Sequence, residues 1–411
     1  MWVGAAVGLL LHHVGRFWPA LAPWVERHLT NGVLAVLGQL FLAALQMLVV
    51  PLVLVSLVRG MAGVGNLRQL GRIGGRLLGL FAATTCIAVT VALLIAAAVG
   101  PGRKVVAPRS SVPSVPAPPS LYEQLASLIP ANPFDAMAQG RMLQVIVLSC
   151  LVGVAMVSLG SRAARLRAGL DDLHDLLLTM VFLVMRAAPV GVLALLARTL
   201  AIHGSDIVGS LTSYVGAVLL AQGLHVVLVY GSLLTFGARV SPFQFLVRFR
   251  DPILTAFCTA SSNATLPITL EALQDRVGVS RSVAALAVPL GATIHMDGTA
   301  MMQGVAAVFI AQAYGHPLTF WHGVQIVAIA TLASVGTAGV PGVGLIMLAM
   351  VLQQIGLPVE SIALVAGVDR LVDMTRTVVN VLGDGVVATV VARWEGGLNW
   401  GSSGLPDHRE A

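Results

Sequence analysis

The chain alternates between long apolar runs and short polar connections. Apolar segments fall at 33–58, 77–100, 142–160, 172–201, 208–237, 282–313 and 361–392, each near or above the roughly 20 residues that an α-helix needs to cross a bilayer. A shorter apolar stretch occupies 2–11. Two further stretches, 252–275 and 324–352, are apolar at both ends and broken in the middle, by TASSNAT and by ASVGTAGVPGVG. Between 101 and 134 the chain opens with PGRKVVAPRSSVPSVPAPPS, a Pro/Ser-rich linker expected to stay extended. The pattern predicts an all-α protein built from membrane-length helices.

Composition makes those helices membrane spans. The 411 residues are 57% hydrophobic and 10% charged, with a mean hydropathy of +0.89, whereas soluble domains carry roughly 25% charged residues. Residues 2–11 lack a basic leader and are followed by His12, His13 and Arg16, so they do not form a cleavable signal peptide. They are too short to span, and a truncated first membrane helix is expected. The net charge of +6 does not point to nucleic acid. The arginines cluster between apolar runs: Arg59, Arg68, Arg72 and Arg76; Arg162, Arg165 and Arg167; Arg239, Arg248 and Arg250; Arg276 and Arg281; and Arg393 near the end. The alternate connections at 203–207, 314–323 and 356–361 contain no Lys or Arg, and only the long linker, with Arg103, Lys104 and Arg109, breaks the alternation. The clusters are therefore assigned to the cytoplasmic side. Cys86, Cys150 and Cys258 lie far apart in apolar surroundings, with no disulfide framework and no metal-ligand spacing; buried, inert thiols are expected.

That orientation bears on the two broken stretches. The first has basic clusters on both flanks, so it enters and leaves from one face as a re-entrant hairpin. The second has none on either flank and enters from the opposite face. Each is followed by a long apolar segment, an arrangement that suggests an inverted repeat. Irregular backbone at membrane depth survives only where protein buries it or where it lines a cavity. Paired, Gly/Pro-interrupted segments of this kind mark the binding site of a transporter.

Four polar stretches lie within the oily sequence. TASSNATLP (259–267) offers hydroxyls and a chain break whose freed amides suit an anion. GATIHMDGT (291–299) places Asp297 beside Gly298 inside an apolar helix, which suggests an unwound turn; His295, taken alone, reads as structural. ASVGTAGVPGVG (333–344) holds too many glycines for a packed helix and suits a movable gate. The last, DRLVDMTRTVVNVLGDG (369–385), is the most demanding. At about 100° per residue, Asp369, Asp373, Arg376, Asn380 and Asp384 fall on one face within about 80°. A single charge at the bilayer centre costs about 2.5 to 17 kcal/mol, depending on the method. Such a stripe implies an intramembrane binding site.

TASSNATLP, TIHMDGTA, ASVGTAGVPG and DMTRTVVNVLGD, in this order, resemble the four signature stretches of the dicarboxylate/amino acid:cation symporter family, which includes archaeal sodium/aspartate transporters and excitatory amino acid transporters. QMLVVPLV (46–53) and GRIGGR (71–76) extend the resemblance over nearly the whole chain. It implies a homotrimer of eight membrane helices and two re-entrant hairpins per chain, working as an elevator in a prokaryotic inner membrane. Scaffold helices one and two would occupy 1–69 and helices four and five 135–203. The transport domain would take the third helix (70–100) and 204–396, with hairpins at 252–276 and 322–358, a seventh helix at 280–313 and an eighth at 360–395. The linker 101–134 would be extracytoplasmic and 397–411 a cytoplasmic tail.

The resemblance also implies roles. Arg376 matches the arginine that pairs with the substrate's side-chain carboxylate, and Asp373 the aspartate that holds its amino group. Thr377, Asn380, Thr299, Ser261, Ser262 and Val340 match the remaining substrate contacts. Asp384 with the carbonyls of Gly291, His295 and Asn380 resembles one sodium site. Carbonyls of Thr293, Ser334, Val335 and Thr337 resemble a second, and Thr84, Thr85 and Asp297 a third. The implied cargo is aspartate or glutamate, since Asp373 would have no partner on a C4-dicarboxylate and Arg376 none on a neutral amino acid. No cofactor, nucleic-acid partner or enzymatic activity is implied; the coupling ion is sodium or a proton. The sequence departs from the family pattern at His295, where sodium-coupled members carry asparagine, at Ala260 and Met374, where an accessory arginine is usual, and at Phe81, a tyrosine in archaeal members. Proton coupling is therefore a live alternative. Two other classes remain: an intramembrane aspartyl protease using Asp297 and Asp384, for which VLGD at 381–384 is an incomplete motif, and a passive channel.

Overall fold

The computed structural model describes residues 2–18, 20–62, 67–103, 105, 129–139, 141–204, 206–334, 339 and 341–400. Among them the regular structure is helical, apart from one isolated antiparallel bridge between Val279 and Leu398. Helix α1 is Trp2–Phe17. Helix α2 (Ala22–Val25) passes through a π-helical stretch, Glu26–Leu34, into α3 (Ala35–Ala62), and α4 is Leu67–Val99. Beyond the linker, whose residues 106–128 lie outside the described set, α5 (Pro133–Ala138) is capped by the Asn132 side chain, which accepts from the amides of Phe134 and Asp135. Helix α6 (Met142–Leu159) follows.

Four expected single segments are interrupted, the run at 361–392 among them, where the helix breaks at residues 367–368. The run at 172–201 is two helices, α7 (Ala164–Arg186) and α8 (Ala188–His203), which part where Pro189 enters the first turn of α8. Proline has no N–H to continue the ladder and is tolerated at a helix start. The run at 208–237 begins as α9 (Asp206–Leu224) and continues through two π-helical stretches, His225–Tyr230 and Leu233–Ala238. The run at 282–313 splits into α13 (Arg281–Ile294) and α14 (Asp297–Ala313) at His295–Met296, where an unwound turn beside Asp297 was expected. Helix α13 is preceded by α10 (Pro242–Arg248), α11 (Arg250–Thr259) and α12 (Ser262–Glu271), the last ending in a π-helical stretch, Ala272–Val277.

Helices α11 and α12 pack against each other. Their turn is Ala260, with a left-handed φ of 51°, followed by Ser261, whose hydroxyl accepts from the Ala264 amide. Helices α15 (Phe320–Ser334) and α16 (Val343–Gln354) likewise pack on each other. Residues 335–338 and 340 between them lie outside the described residues. A short α17 (Ala363–Ala366) leads into α18 (Asp369–Trp394).

Among the described residues, Arg72–Val99, Val147–Val184, Ile207–Ala238 and Asp369–Trp394 are long and apolar enough to cross a membrane. The most apolar window of Asp369–Trp394 is 83% buried, against 39%, 22% and 39% for the other three. The last helix therefore runs through the middle of the protein while the others show much of their surface outward. Two apolar cores flank it. One gathers Leu48, Leu52, Ala88, Phe309 and Met347 with Val372; the other gathers Leu77, Phe81, Tyr230 and Phe249 with Val379 and Val386. The polar stripe of α18 lies between them.

The thiols correct an expectation. Cys86 and Cys258 are exposed and Cys150 is half-buried. An apolar neighbourhood in a membrane sequence does not imply the inside of the fold, because lipid-facing positions are as oily as packed ones. Residues 397–400 are held to the rest of the fold: the Asn399 amide donates to the Gly278 carbonyl at 2.8 Å, and the Arg248 guanidinium lies 4.3 Å from the Trp400 ring.

Candidate functional site

Five side chains of α18 that share a face in the sequence share a buried wall in the fold. Asp369, Asp373, Arg376, Asn380 and Asp384 are all buried, at 2–7% exposure. Arg376 is folded back along its own helix. Its Nε and Nη2 reach Asp373 Oδ1 at 2.9 and 2.7 Å, and its Nη1 donates to Asp369 Oδ1 at 3.2 Å. A buried charge persists only when paired, and the guanidinium has two carboxylates one turn apart. Asp373 Oδ2 accepts the Gly342 amide at 3.1 Å, which ties the start of α16 to the stripe. Asn380 joins α18 to the break in the α13–α14 helix: its Oδ1 accepts the Gly298 amide at 2.8 Å, and its Nδ2 donates to Thr299 Oγ1 at 3.1 Å.

These groups enclose a chamber lined by Ala260, Ser262, Met296, Thr299, Gly339, Asp373, Arg376, Thr377 and Asn380, with Val343 and Gly344. The turn between α11 and α12 closes against Gly339, whose carbonyl accepts from the Ser261 hydroxyl at 2.7 Å and from the Asn263 amide at 3.1 Å. The free volume left is about 10 Å³, the scale of one water. Glycine is required where backbone meets charge: a Cβ at Gly344 would sit 2.0 Å from Arg376 Nη1, and one at Gly298 would sit 2.3 Å from the Arg376 carbonyl.

A second polar cluster lies one turn further along α18. His295 stands between two carboxylates, with Nδ1 2.9 Å from Asp384 Oδ1 and Nε2 3.1 Å from Asp297 Oδ1. Phe81 stacks on its ring at 4.4 Å. Thr85 donates to Asp297 Oδ1 at 2.5 Å, and Thr84 Oγ1 lies 2.9 Å from His295 Nε2. On the other side, Tyr230 donates to Asp297 Oδ2 at 2.8 Å, and His225 Nε2 lies 3.2 Å away. A Cβ at Gly291 would meet Asp384 Oδ1 at 2.3 Å, so that carboxylate packs directly on the backbone of α13.

The expected site residues sort into two groups. Ser262, Thr299, Asp373, Arg376, Thr377 and Asn380 meet at the chamber, and Thr84, Thr85, Gly291, His295, Asp297 and Asp384 meet at the second cluster. Ser261 serves the closure at Gly339. The Ser334 hydroxyl donates to the Ile294 carbonyl at 3.2 Å, at the helix break. Thr293 turns its hydroxyl back to the Pro289 carbonyl and lines a separate crevice. Val335, Thr337 and Val340 lie outside the described residues. Sequence reasoning missed three partners. Asp369, left without a role, is the second counter-charge of Arg376. His225 and Tyr230 were passed over as part of an apolar run; the π-helical stretch, with its i→i+5 repeat, brings their rings to 4.7 Å of each other. A lone histidine in an oily helix was the only available signal.

A profile of the sodium:dicarboxylate symporter family matches residues 1–394. The chain belongs to this family. It is 33% identical to the proton/sodium-glutamate symport protein of Bacillus subtilis (strain 168), over 97% of this chain and 92% of that protein. It is 34% identical to the proton/glutamate-aspartate symporter of Escherichia coli (strain K12), over 87% and 84%. It is also 32% identical to a C4-dicarboxylate transport protein of Rhodospirillum rubrum, over 97% and 88%. Family membership places a multi-pass, all-helical membrane transporter on the chain, with the buried stripe of α18 at its centre.

Proposed function

We propose that this chain is a cation-coupled symporter for an acidic amino acid, aspartate or glutamate. The observation that carries this reading is the buried Arg376, held by Asp373 and Asp369 in a chamber walled by both broken segments. A substrate carboxylate would take the guanidinium's Nη1 and Nη2 as a bidentate partner. The Asp373 carboxylate, displaced from Arg376, then faces an ammonium group. Ser262, Thr377, Asn380 and backbone amides at the chamber wall receive the α-carboxylate, and Val340 is proposed as a further contact. Asp384, packed on Gly291 beside Asn380, is the proposed seat of a coupling cation, with a second at the carbonyls of Thr293, Ser334, Val335 and Thr337.

The same reading proposes eight membrane helices with re-entrant hairpins at 252–276 and 322–358. A scaffold of 1–69 and 135–203 would serve an elevator of 70–100 and 204–396, in a homotrimer in a prokaryotic inner membrane. Uptake of labelled aspartate by proteoliposomes, under separately imposed sodium and proton gradients, tests the function; no uptake under any gradient by folded protein rejects it. Arg376→Cys is expected to lower aspartate affinity about 100-fold or more, the loss of two charge-assisted hydrogen bonds of about 1.5 kcal/mol or more each, and to admit neutral amino acids. Unchanged affinity removes Arg376 from the site.

The second reading, a C4-dicarboxylate carrier, draws on the Rhodospirillum rubrum relative. Asp373 separates the two, because succinate offers it no cation. Competition of labelled aspartate uptake by succinate is expected to be weak, and succinate outcompeting aspartate selects the second reading.

A further inference from the structure

The carboxylate of Asp297 is completely buried, and both of its oxygens already face hydrogen-bond donors. A carboxylate offers about four lone-pair sites. Oδ1 meets Thr85 Oγ1 at 2.5 Å and His295 Nε2 at 3.1 Å; Oδ2 meets Tyr230 OH at 2.8 Å and His225 Nε2 at 3.2 Å. Thr84 donates its hydroxyl proton to the Phe81 carbonyl at 3.1 Å. A ring nitrogen 3.1 Å from a carboxylate oxygen shares a proton with it, so one stands between Nε2 and Asp297 Oδ1, with Thr84 Oγ1 2.9 Å from the same nitrogen. The opposite ring nitrogen lies 2.9 Å from Asp384 Oδ1, so a proton also stands on that line, whichever partner owns it. The ring has no room to withdraw, because Phe81 covers one face and a Cβ at Gly383 would already meet its Cε1 at 2.6 Å.

A hard cation is held by free oxygen lone pairs. Around Asp297 they are turned toward N–H and O–H groups, and the gap between Asp297 and Asp384 is filled by an imidazole. We infer that His295, His225, Tyr230 and Thr85 close the Asp297 carboxylate to sodium, so that this chain carries its substrate without a sodium ion at that position. The inference rests on the symporter reading for its meaning, while its direct measurement is of binding. The residues there do not fit the third sodium site that the family resemblance implies. His295 and His225 act on Asp297 from opposite sides and set which cations the transporter accepts.

Equilibrium binding of ²²Na⁺ to the purified full chain, compared with His295→Asn, tests the inference. The variant removes the ring from between the carboxylates and is expected to bind one more sodium per chain than the wild type. Co-accumulation of ²²Na⁺ with labelled aspartate in proteoliposomes is expected to rise by the same increment. Equal sodium counts in the wild type and in a folded variant overturn the inference. Should His295→Asn not fold, His295→Ser, which also removes the ring from between the carboxylates, carries the same comparison with the same two outcomes. Failure of aspartate uptake under every gradient strikes the symporter reading, whereas the binding count is read without transport.

Discussion

Gly344 and Asp369 hold the guanidinium of Arg376 in place from different sides. A methyl group at Gly344 would sit 2.0 Å from Nη1, and what yields is the flexible end of a side chain. Gly344→Ala is expected to destabilise the chain by about 1–3 kcal/mol, because the buried guanidinium is pushed off its Asp369 partner, and to weaken aspartate binding sharply. Wild-type affinity in this variant would show that the guanidinium position is unimportant. Asp369→Asn keeps the shape and removes one of the two counter-charges. With Arg376 less neutralised, a substrate carboxylate is expected to bind up to about tenfold more tightly, about 1.4 kcal/mol of recovered charge interaction. Titration calorimetry with aspartate checks the direction, and weaker binding would assign Asp369 a different role.

Two helix junctions show how small residues set element geometry. Gly4 and Gly8, one turn apart on α1, lie against α8: a Cβ at Gly8 would meet the Ala197 carbonyl at 2.5 Å, and one at Gly4 the Leu193 carbonyl at 3.0 Å. Small residues four apart let membrane helices approach closely. Because the clash is with backbone, Gly8→Val is expected to destabilise the chain by about 1–3 kcal/mol, read as a lower melting temperature in detergent. An unchanged melt would mean that α1 is not docked there. At the turn between α11 and α12, Ala260 carries a left-handed φ of 51°, a conformation costing an L-residue about 1–2 kcal/mol. Ala260→Gly is expected to relieve that strain and raise the melting temperature, and a fall would show that the methyl group's packing against the chamber matters more.

At the scale of the molecule, a crevice of about 680 Å³ separates α3 and α7, bearing Arg59, Arg167, Asp171, His174 and Asp175, from α12 and α13, bearing Asn263, Pro289 and Thr293. Arg59 and Asp171 pair at 2.6 Å on one wall. Asn263, on the other, donates its amide to the Gly339 carbonyl that closes the chamber, so the crevice reaches toward the site from the side of the basic clusters. In a chain with its three cysteines replaced by serine, Thr293→Cys is expected to react with a membrane-impermeant maleimide in inside-out vesicles and not in right-side-out ones. The reverse pattern overturns the orientation read from the arginines.

Much of this was legible in the sequence because the bilayer imposes a simple physical test. In a chain this oily, each polar residue must have a reason, and Asp373, Arg376, Asn380 and Asp384 stood out on one face by periodicity alone; their burial follows from the same chemistry. The two breaks were visible as glycines, prolines and hydroxyls inside apolar runs. Other features needed the fold. Pro189 divides α7 from α8, yet proline inside a membrane segment is compatible with either a kink or a continuous helix. Cys86 and Cys258 face outward because apolar sequence does not distinguish lipid from core. His225 and Tyr230 join Asp297 only through a π-helical stretch, whose changed periodicity no apolar pattern records. The sequence by itself determined that charges would be gathered at membrane depth, since periodicity and hydropathy are properties of one helix. Which of those charges face an outside ligand and which are satisfied within the chain was decided by the tertiary structure, because hydrogen-bond saturation depends on donors from several helices meeting at one carboxylate.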